Sequence, residues 1–326
     1  MSQGYGDYIS EMLYRLMKPT LSVQSEGVDF RCIRHIPFHH RHDVLGMCSD
    51  GVGTKLEWAY ANNMWEGIGY DLLAMVLDDA VAIGAIPQAV TTTIDVGEEK
   101  DKDLLYSIGK SIAAAAQASR VEVVGGEFAQ LGRYMVYGTP ILNATTIWSA
   151  QSSYLIDGTE LRPGMKMLGL CEPGFRSNGF TFLREILYKK YGTMWYAPQN
   201  VLNLIMTPST IYKCAVLGAL DHCHIDGMIH ITGGGIAGRM EKYLKRSGVG
   251  AIIDLPEPNA LVKELLEEGL VTHKEACSHW NMGVGFVIIS QWVDDIQQYL
   301  ENVHGIESFV LGEIIEGGIE IKAWKA

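Results

Sequence analysis

The sequence has no excess of basic residues and no long apolar segment, and both absences narrow the possible functions. Lysine and arginine number 26 against 38 acidic residues, which gives the 326-residue chain a formal net charge of −12. Nucleic acid and anionic lipid surfaces repel such a chain, so both are poor candidate partners. No apolar run approaches the roughly 20 residues that a membrane-spanning helix needs. We expect neither a nucleic-acid partner nor a membrane association.

The sequence also lacks a Cys-x-x-Cys pair, although it has six cysteines. Disulfide frameworks belong to small secreted domains, whereas a chain of this length with 48% hydrophobic residues can build its cores without them. The first residues lack the basic and apolar regions of a secretory signal. These features predict reduced thiols and a soluble, cytoplasmic protein.

The segment 31–42 contains four of the ten histidines together with three arginines. Neither cysteine nor carboxylate accompanies them in the spacing of a zinc site, so the segment does not favour zinc. A surface loop, or a loop close to a substrate phosphate, fits the pattern better.

Strand-like and helix-like segments alternate along the chain, which is typical of an α/β (α+β) fold. In the first half, strands are predicted at 44–49, 89–97, 121–128 and 134–150, and helices at 69–85 and 100–120. The alternation restarts after the polar stretch 157–166, and a helix is expected over 208–223 with Pro208 near its start. We therefore expect two domains, at 1–158 and 159–326.

The predicted helix over 69–85 is apolar except for three aspartates. At about 100° per residue, Asp78 returns to nearly the azimuth of Asp71, and Asp79 lies about 80° from Asp71. Carboxylates on so apolar a helix must reach solvent, pair with cations or bind a metal, because unpaired burial costs several kcal/mol. No basic residue stands at i±4, which favours a metal or nucleotide site over a local ion pair.

Two glycine-containing segments follow predicted strands and carry charge. SDGVGTK (49–55) combines turn glycines with Asp50, a hard oxygen ligand, and Lys55, but its spacing differs from that of a P-loop. VVGGEFAQ (123–130) places Glu127 at the end of a strand, where α/β proteins bind ligands. Taken alone, the first segment favours an ordinary turn, and the second is equally compatible with one.

Two further glycine-rich loops, 172–180 and 230–235, each follow an apolar run and open a helix. Backbone N–H groups at such helix starts form ready anion sites. Arg176 and His230 could add charge to a phosphate bound there.

The order of these motifs resembles the phosphoribosylformylglycinamidine cyclo-ligase family, the aminoimidazole ribonucleotide synthetases. The resemblance covers roughly residues 44–316 and rests on SDGVGTKL, IGYDLLAMVLDDAVAIGAIP, VVGGEFA, RSNGFTFLREIL, HITGGG and NMGVGFVII. It implies a two-domain PurM-like fold, in which the mixed N-terminal sheet pairs with a second copy into the barrel of a homodimer. The C-terminal sheet would be flanked by helices.

The resemblance also implies an activity and cofactors. The activity is ATP-dependent closure of formylglycinamidine ribonucleotide to 5-aminoimidazole ribonucleotide in purine biosynthesis, with Mg²⁺ and a monovalent cation such as K⁺. Another ATP-dependent phosphotransferase of the same superfamily, or a silent dimeric partner, is the alternative.

Matched residue by residue, the resemblance implies three sets of site residues. The catalytic residues would be Lys55, Asp79 and His230. The nucleotide would contact Asp50, Gly51, Gly53, Thr54, Lys55, Asp71, Asp79 and Glu127, with Asp50, Asp79 and Glu127 binding the metal. The substrate would contact Arg176, Ser177, Asn178, Gly179, Thr232, Gly233, Gly234 and Gly235. In this sequence Arg176 replaces the family's histidine, and Asp78 replaces the asparagine of its Asn-Asp pair.

Overall fold

The computed structural model of the chain describes residues 25–28, 31–35, 44–97, 102–132, 135, 139–193 and 195–322. In the histidine- and arginine-rich segment 31–42, residues 31–35 form a strand instead of the expected loop, and residues 36–42 lie outside these ranges. None of the helices in the described ranges combines the length and hydrophobicity that a bilayer crossing requires.

The first half of the chain forms a six-stranded mixed sheet in the order β1-β2-β3-β6-β4-β5. Its strands are β1 (Ser25–Val28), β2 (Arg31–His35), β3 (Val44–Gly51), β4 (Ile86–Val96), β5 (Glu122–Gln130) and β6 (Ile141–Ala150). The β4–β5 pair is parallel and the other pairs are antiparallel. The helices are α1 (Lys55–Asn62), α2 (Ile68–Val81) and α3 (Lys102–Ala118). Helix α2 packs on β3 and β6, and α3 packs on α2.

The second half forms another six-stranded sheet, in the order β12-β9-β11-β7-β10-β8. Its strands are β7 (Lys166–Cys171), β8 (Gly227–His230), β9 (Gly250–Asp254), β10 (Val284–Ser290), β11 (Ser308–Ile315) and β12 (Ile319–Lys322). Its helices are α4 (Phe180–Tyr191), α5 (Gln199–Ile205), α6 (Lys213–His222), α7 (Gly235–Leu244), α8 (Ala260–Glu267), α9 (His273–His279) and α10 (Val293–Tyr299). The predicted α/β class with two sheets is confirmed.

Helix α2 connects the two halves because it is apolar on nearly every side. Its side chains Leu72, Leu73 and Val76 are fully buried, in one apolar cluster that also contains Phe175 and Phe180 from the second half. Gly69 lets α2 approach α3 closely, since a Cβ there would lie 2.2 Å from the Ser111 backbone. The acidic side chains of α2 are consequently carried into the contact between the two halves.

The helix expected over 208–223 begins five residues later than predicted, at Lys213. The backbone N–H groups of Ser209 and Tyr212 donate to the carboxylates of Asp71 and Asp78, at 3.0 and 2.9 Å. These long-range acceptors hold 208–212 outside the helix, and the local pattern gave no sign of them. Helices α1, α5 and α9 and strand β12 were not predicted.

The strand order brings the glycine-rich loops of the second half to one edge. Strands β7 and β8 are both antiparallel to β10, so they run parallel to each other. Their last residues, Cys171 and His230, pair with Val284 and Phe286 at the start of β10. The loops after β7 and β8, and the loop before β10, therefore lie at the same end of the sheet, although β10 separates the two strands.

Candidate functional site

Asp71 and Lys55 form a buried ion pair. The Lys55 ammonium donates to Asp71 Oδ1 at 2.8 Å and to the Thr207 carbonyl at 2.8 Å, and both charged side chains are fully inaccessible. Ser209 donates its hydroxyl to the same carboxylate at 2.5 Å. Burial raises the pKa of Asp71, and Lys55 opposes that rise. Lys55 and Asp71 were expected to face the nucleotide. The structure instead places both in the interior, where they hold α1, α2 and the segment before α6 together.

Asp78 and Arg176 form a second buried ion pair, which Glu172 joins. Arg176 donates from Nη2 to Asp78 Oδ2 and from Nη1 to Glu172 Oε2, each at 2.8 Å. It also donates from Nη1 to the Thr210 carbonyl at 2.8 Å and lies over the Tyr212 ring. Burial raises the pKa of Asp78 to about 7, against the opposing effect of Arg176. Arg176 was expected to contact substrate, and its burial differs from that expectation.

The Arg176 guanidinium also sets the tautomer of His230. Arg176 Nη2 lies 2.9 Å from His230 Nε2, and a guanidinium can only donate, so Nε2 accepts. The proton of the ring then resides on Nδ1, which donates to Asp79 Oδ1 at 2.9 Å. Burial lowers the pKa of His230 to about 4, so the ring is neutral near pH 7. His230 therefore orients Asp79 by a hydrogen bond between a neutral imidazole and a carboxylate.

Asp79 and Asp50 are acids of the expected site that solvent can reach, and the exposed Glu127 is a third. Asp79 is about one-fifth exposed (22%), and Asp50 is exposed at the end of β3. Partial removal of water by the surrounding protein raises the pKa of Asp50 to about 6. The Gly51 N–H lowers this pKa, the negative charge of Asp79 raises it further, and the positive charge of Arg239 lowers it. The Gly51 N–H donates to Asp50 Oδ1 at 2.7 Å. Two carboxylates and one arginine thus interact electrostatically at this edge.

Glu127 lies away from these two acids. Along the register, Glu127 aligns with Thr93, Asn143 and Gly51 in successive strands, which places it three strands from β3, about 14 Å away. Side chains alternate between the two faces of a strand, and Asp50 lies on the same face of β3 as its buried residues. Gly51 lies on the opposite face, and Glu127, which aligns with Gly51, projects from that face too. Within one chain Glu127 cannot share an ion with Asp50, contrary to the expected set of three metal ligands.

No three acidic, histidine or cysteine side chains in the described ranges gather closely enough to hold a metal ion by themselves. Asp50 and Asp79 still fit Mg²⁺, because that ion is commonly bound by one or two carboxylates and completed by waters and substrate phosphates. The neighbouring segment is open among the described residues: Gly53 adopts φ +67°, and apart from its chain neighbours none of their atoms lies within 4 Å of the position a Cβ would take. Thr54 Oγ1 lies 3.1 Å from Thr181 Oγ1, which connects this loop to the start of α4.

The expected substrate loops surround the same edge. Gly179 (φ +75°) precedes α4, and Gly234 (φ +91°) precedes α7, both in the backbone region that favours glycine. Ser177 is buried and donates to the Asp71 carbonyl at 3.5 Å, and Asn178 donates to Met75 Sδ at 3.7 Å. Gly51 is the last residue of β3, Gly233 precedes Gly234 in the loop after β8, and Gly235 begins α7.

Sequence reasoning missed Arg239, on α7. Its Nη2 donates to Thr232 Oγ1, and its charge acts on both Asp50 and His230. The available signal was the spacing of Arg239, Lys242 and Arg246 at three and four residues, which is typical of cations on one helical face. In the structure α7 ends at Leu244, so only Arg239 and Lys242 share that face.

Comparison with known proteins places the chain in a family. The model for the N-terminal domain of AIR synthase related proteins matches residues 33–149, and the model for their C-terminal domain matches residues 162–325. The chain belongs to the AIR synthase family. A phosphoribosylformylglycinamidine cyclo-ligase of Methanococcus maripaludis is 32% identical over 278 residues, covering 83% of this chain and 78% of the relative.

Other members and fold neighbours of the AIR synthase family extend this match. A phosphoribosylformylglycinamidine cyclo-ligase of Thermoanaerobacter pseudethanolicus is 29% identical over 330 aligned residues, covering 96% of each chain. The crystal structure of hydrogenase maturation protein HypE in complex with ATP superimposes with a TM-score of 0.64, over 95% of this chain and 91% of that one. At 16% identity, that likeness shows the shared fold alone. The family predicted from the order of the motifs is confirmed.

Replacing Asp50 with asparagine is expected to stabilise the unliganded chain. Its folded-state pKa of about 6 lies above its ordinary value of 3.8, so ionisation costs stability as the pH rises through this interval. Because the side chain is exposed, we expect Asp50→Asn to gain only about 1 kcal/mol above pH 6.5, and nothing below pH 3.5. Urea unfolding at several pH values measures this, with Asp221→Asn, an exposed acid of α6, as the control. A gain that grows as the pH falls would contradict the assignment.

Proposed function

We propose that this chain is an ATP-dependent cyclo-ligase that converts formylglycinamidine ribonucleotide to 5-aminoimidazole ribonucleotide, with release of ADP and phosphate. The observation that carries the proposal is the family match over both halves of the chain, with relatives of that name at about 30% identity over most of its length. The two accessible carboxylates beside the glycine-rich loops support the same conclusion.

The reaction needs a better leaving group than the formyl oxygen. That oxygen attacks the γ-phosphorus of ATP, the bond to the β–γ bridging oxygen breaks, and ADP leaves. The amidine nitrogen that carries the ribose then attacks the formyl carbon and loses its proton, the C–O bond breaks, and inorganic phosphate leaves with its oxygen. A proton shift from the ring methylene to the exocyclic nitrogen gives the aromatic 5-aminoimidazole. Both steps depend mainly on positioning and on neutralising phosphate charge.

In our proposal Asp50 and Asp79 hold Mg²⁺, which would neutralise charge on the transferring phosphoryl group. His230 keeps the Asp79 carboxylate oriented through its Nδ1–H. The backbone N–H groups of Gly53, Gly233 and Gly234 would donate to phosphate oxygens. Those of Gly51, Val52 and Gly235 already donate within the chain. A monovalent cation such as K⁺ is part of the proposal without an assigned site.

The homodimer is likewise proposed, and the outer face of the first sheet supports it. This face carries exposed apolar side chains, with Met47 57%, Ile141 45% and Ile86 40% accessible. Their alternation along β3, β4 and β6 turns them away from the helices. A second copy that pairs its own sheet across this face would cover them, and any contribution of Glu127 to an ion site requires such a copy.

The direct test incubates the purified chain with formylglycinamidine ribonucleotide, ATP, Mg²⁺ and K⁺, and measures ADP and aminoimidazole ribonucleotide together. We expect the two products in equal amounts. ADP release that depends on another small phosphorylated substrate, without the imidazole, would instead favour a phosphotransferase. The absence of any nucleotide turnover would favour a silent partner subunit.

Asp79→Asn is expected to lower kcat of the ring closure at least about 100-fold, because it removes a charge that acts on the phosphoryl group. The asparagine amide oxygen can still accept from His230 Nδ1, so the fold around it should persist. Steady-state kinetics measures the effect, with Asp221→Asn as the control. A decrease of only a few-fold would remove Asp79 from the proposed ion site.

A further inference from the structure

We propose that Arg239 and Lys242, supported by Arg246, form the subsite for the 5′-phosphate of the ribonucleotide substrate. This inference rests on the proposed function and adds a subsite that the motif comparison did not assign. A phosphate monoester carries close to two negative charges at neutral pH and needs cations to balance them. The two cations that were expected to contact phosphate are not available to it. Lys55 and Arg176 are both buried and paired with carboxylates.

A pocket opens directly beside the proposed ion site. It lies between the end of α2, edge strand β8 and helix α7, and its lining includes Ile83, Met228 and His230. The charged residues that line it are all basic: Arg239, Lys242 and Arg246. Its walls are therefore suited to an anion with a small apolar neighbour.

Arg239 and Lys242 share one face of α7, about 60° apart around the helix axis at about 100° per residue. Arg246 lies in the turn that follows the last residue of the helix. Tyr243 stands on the same face; its hydroxyl accepts from the Met228 N–H at 3.0 Å, which holds α7 against the edge of β8. Arg246 is oriented at the far end by the Asp157 carbonyl at 3.1 Å and by the Tyr243 ring. The basic face is thus fixed toward the pocket.

Arg239 connects this pocket to the reacting edge. Its Nη2 donates to Thr232 in the glycine-rich loop, and its charge acts on Asp50. Its Nε is buried and has no hydrogen-bond partner among the described residues. A buried N–H of a guanidinium without an acceptor is costly, and a phosphate oxygen would satisfy it while using the fork geometry of the side chain.

The substrate phosphate fits this subsite better than the phosphates of ATP. The triphosphate arrives with Mg²⁺, and Asp50 and Asp79, which would hold that ion, are not among the residues that line the pocket. A monoester brings no metal, so its charge must be balanced by protein cations. The basic pocket therefore suits a ligand without a metal, and the two carboxylates suit a ligand that carries one.

The test compares Arg239→Gln, Lys242→Gln and the control Lys245→Gln, an exposed lysine at the end of α7 outside the pocket lining. We expect Arg239→Gln to raise KM for formylglycinamidine ribonucleotide about 10- to 100-fold and Lys242→Gln several-fold, with KM for ATP unchanged and Lys245→Gln like wild type. Arg239→Lys, which keeps the charge but not the fork, should fall in between. A rise in KM for ATP alone would assign the cations to the nucleotide and overturn the proposal.

A binding measurement separates this proposal from the proposed function. Ribose 5-phosphate is titrated into each variant by calorimetry, without ATP or turnover. Binding to wild type that weakens at least 10-fold in Arg239→Gln and persists in Lys245→Gln supports the subsite, even if the chain fails to close the imidazole ring. No binding to wild type, or equal binding to Arg239→Gln and wild type, overturns it, even if ring closure is observed.

Discussion

Arg176→Met is expected to lower the free energy of unfolding by about 3–5 kcal/mol, one of the two largest effects in this protein. The guanidinium is fully buried and is the partner of both Asp78 and Glu172. Without it, two carboxylates would stay in the interior with only backbone and hydroxyl donors, and they would have to protonate or draw in water. The favourable contact of the methionine stem cannot compensate for this.

Urea unfolding at pH 7.5 measures the effect, and Arg184→Met is a matched control. Arg184 also pairs with an acid, Glu57, and stacks on Trp195, but its side chain is partly exposed (26%). We expect the control to lose no more than about 1 kcal/mol. Equal losses in the two variants would contradict the assignment of Arg176 as a buried structural cation.

Lys55→Met is expected to produce the second large effect, again about 3–5 kcal/mol of unfolding free energy. The variant leaves Asp71 charged and buried, with Ser209 as its remaining hydrogen-bond donor. Adding Asp71→Asn removes that charge while keeping an oxygen for Ser209. The double variant should therefore be more stable than Lys55→Met by at least about 1.5 kcal/mol.

The same pair of variants separates a structural lysine from a phosphate-facing one. If Lys55 serves the fold, the double variant, assayed well below its melting temperature, should retain kcat within about tenfold of wild type. If Lys55 contacts the transferring phosphoryl group, kcat should fall about 1,000-fold in both variants regardless of stability. The second pattern would restore the role implied by the family motif.

The sequence predicted where the acids of α2 stand but not what they contact. Helical periodicity correctly gave Asp71 and Asp78 one azimuth and set Asp79 apart. The absence of a basic residue at i±4 then favoured a metal over an ion pair, and for Asp71 and Asp78 this was wrong. Their partners lie 16 and 98 residues away along the chain, at Lys55 and Arg176, and no local spacing could reveal them.

Glu127 shows the same limit for a sheet. Its motif correctly indicated a strand, but the strand does not end before Glu127 as expected, because β5 continues through Gly125 and Gly126 to Gln130. The family placed Glu127 with the metal ligands. The strand order β3-β6-β4-β5 and the alternation of side chains put it on the other face from Asp50. Strand order depends on long-range pairing, which the run of apolar residues within each strand does not encode. The alternation of strands and helices along the chain, in contrast, could be predicted from the sequence, because it depends on local periodicity.

The most direct test of the account is the position of the metal in crystals grown with Mn²⁺ and a non-hydrolysable ATP analogue, located by anomalous scattering. We predict one strong peak within coordination distance of the Asp50 and Asp79 carboxylates, with Lys55 still on Asp71 and Arg176 still on Asp78. A peak remote from both aspartates, or a Lys55 ammonium moved onto the triphosphate, would contradict it.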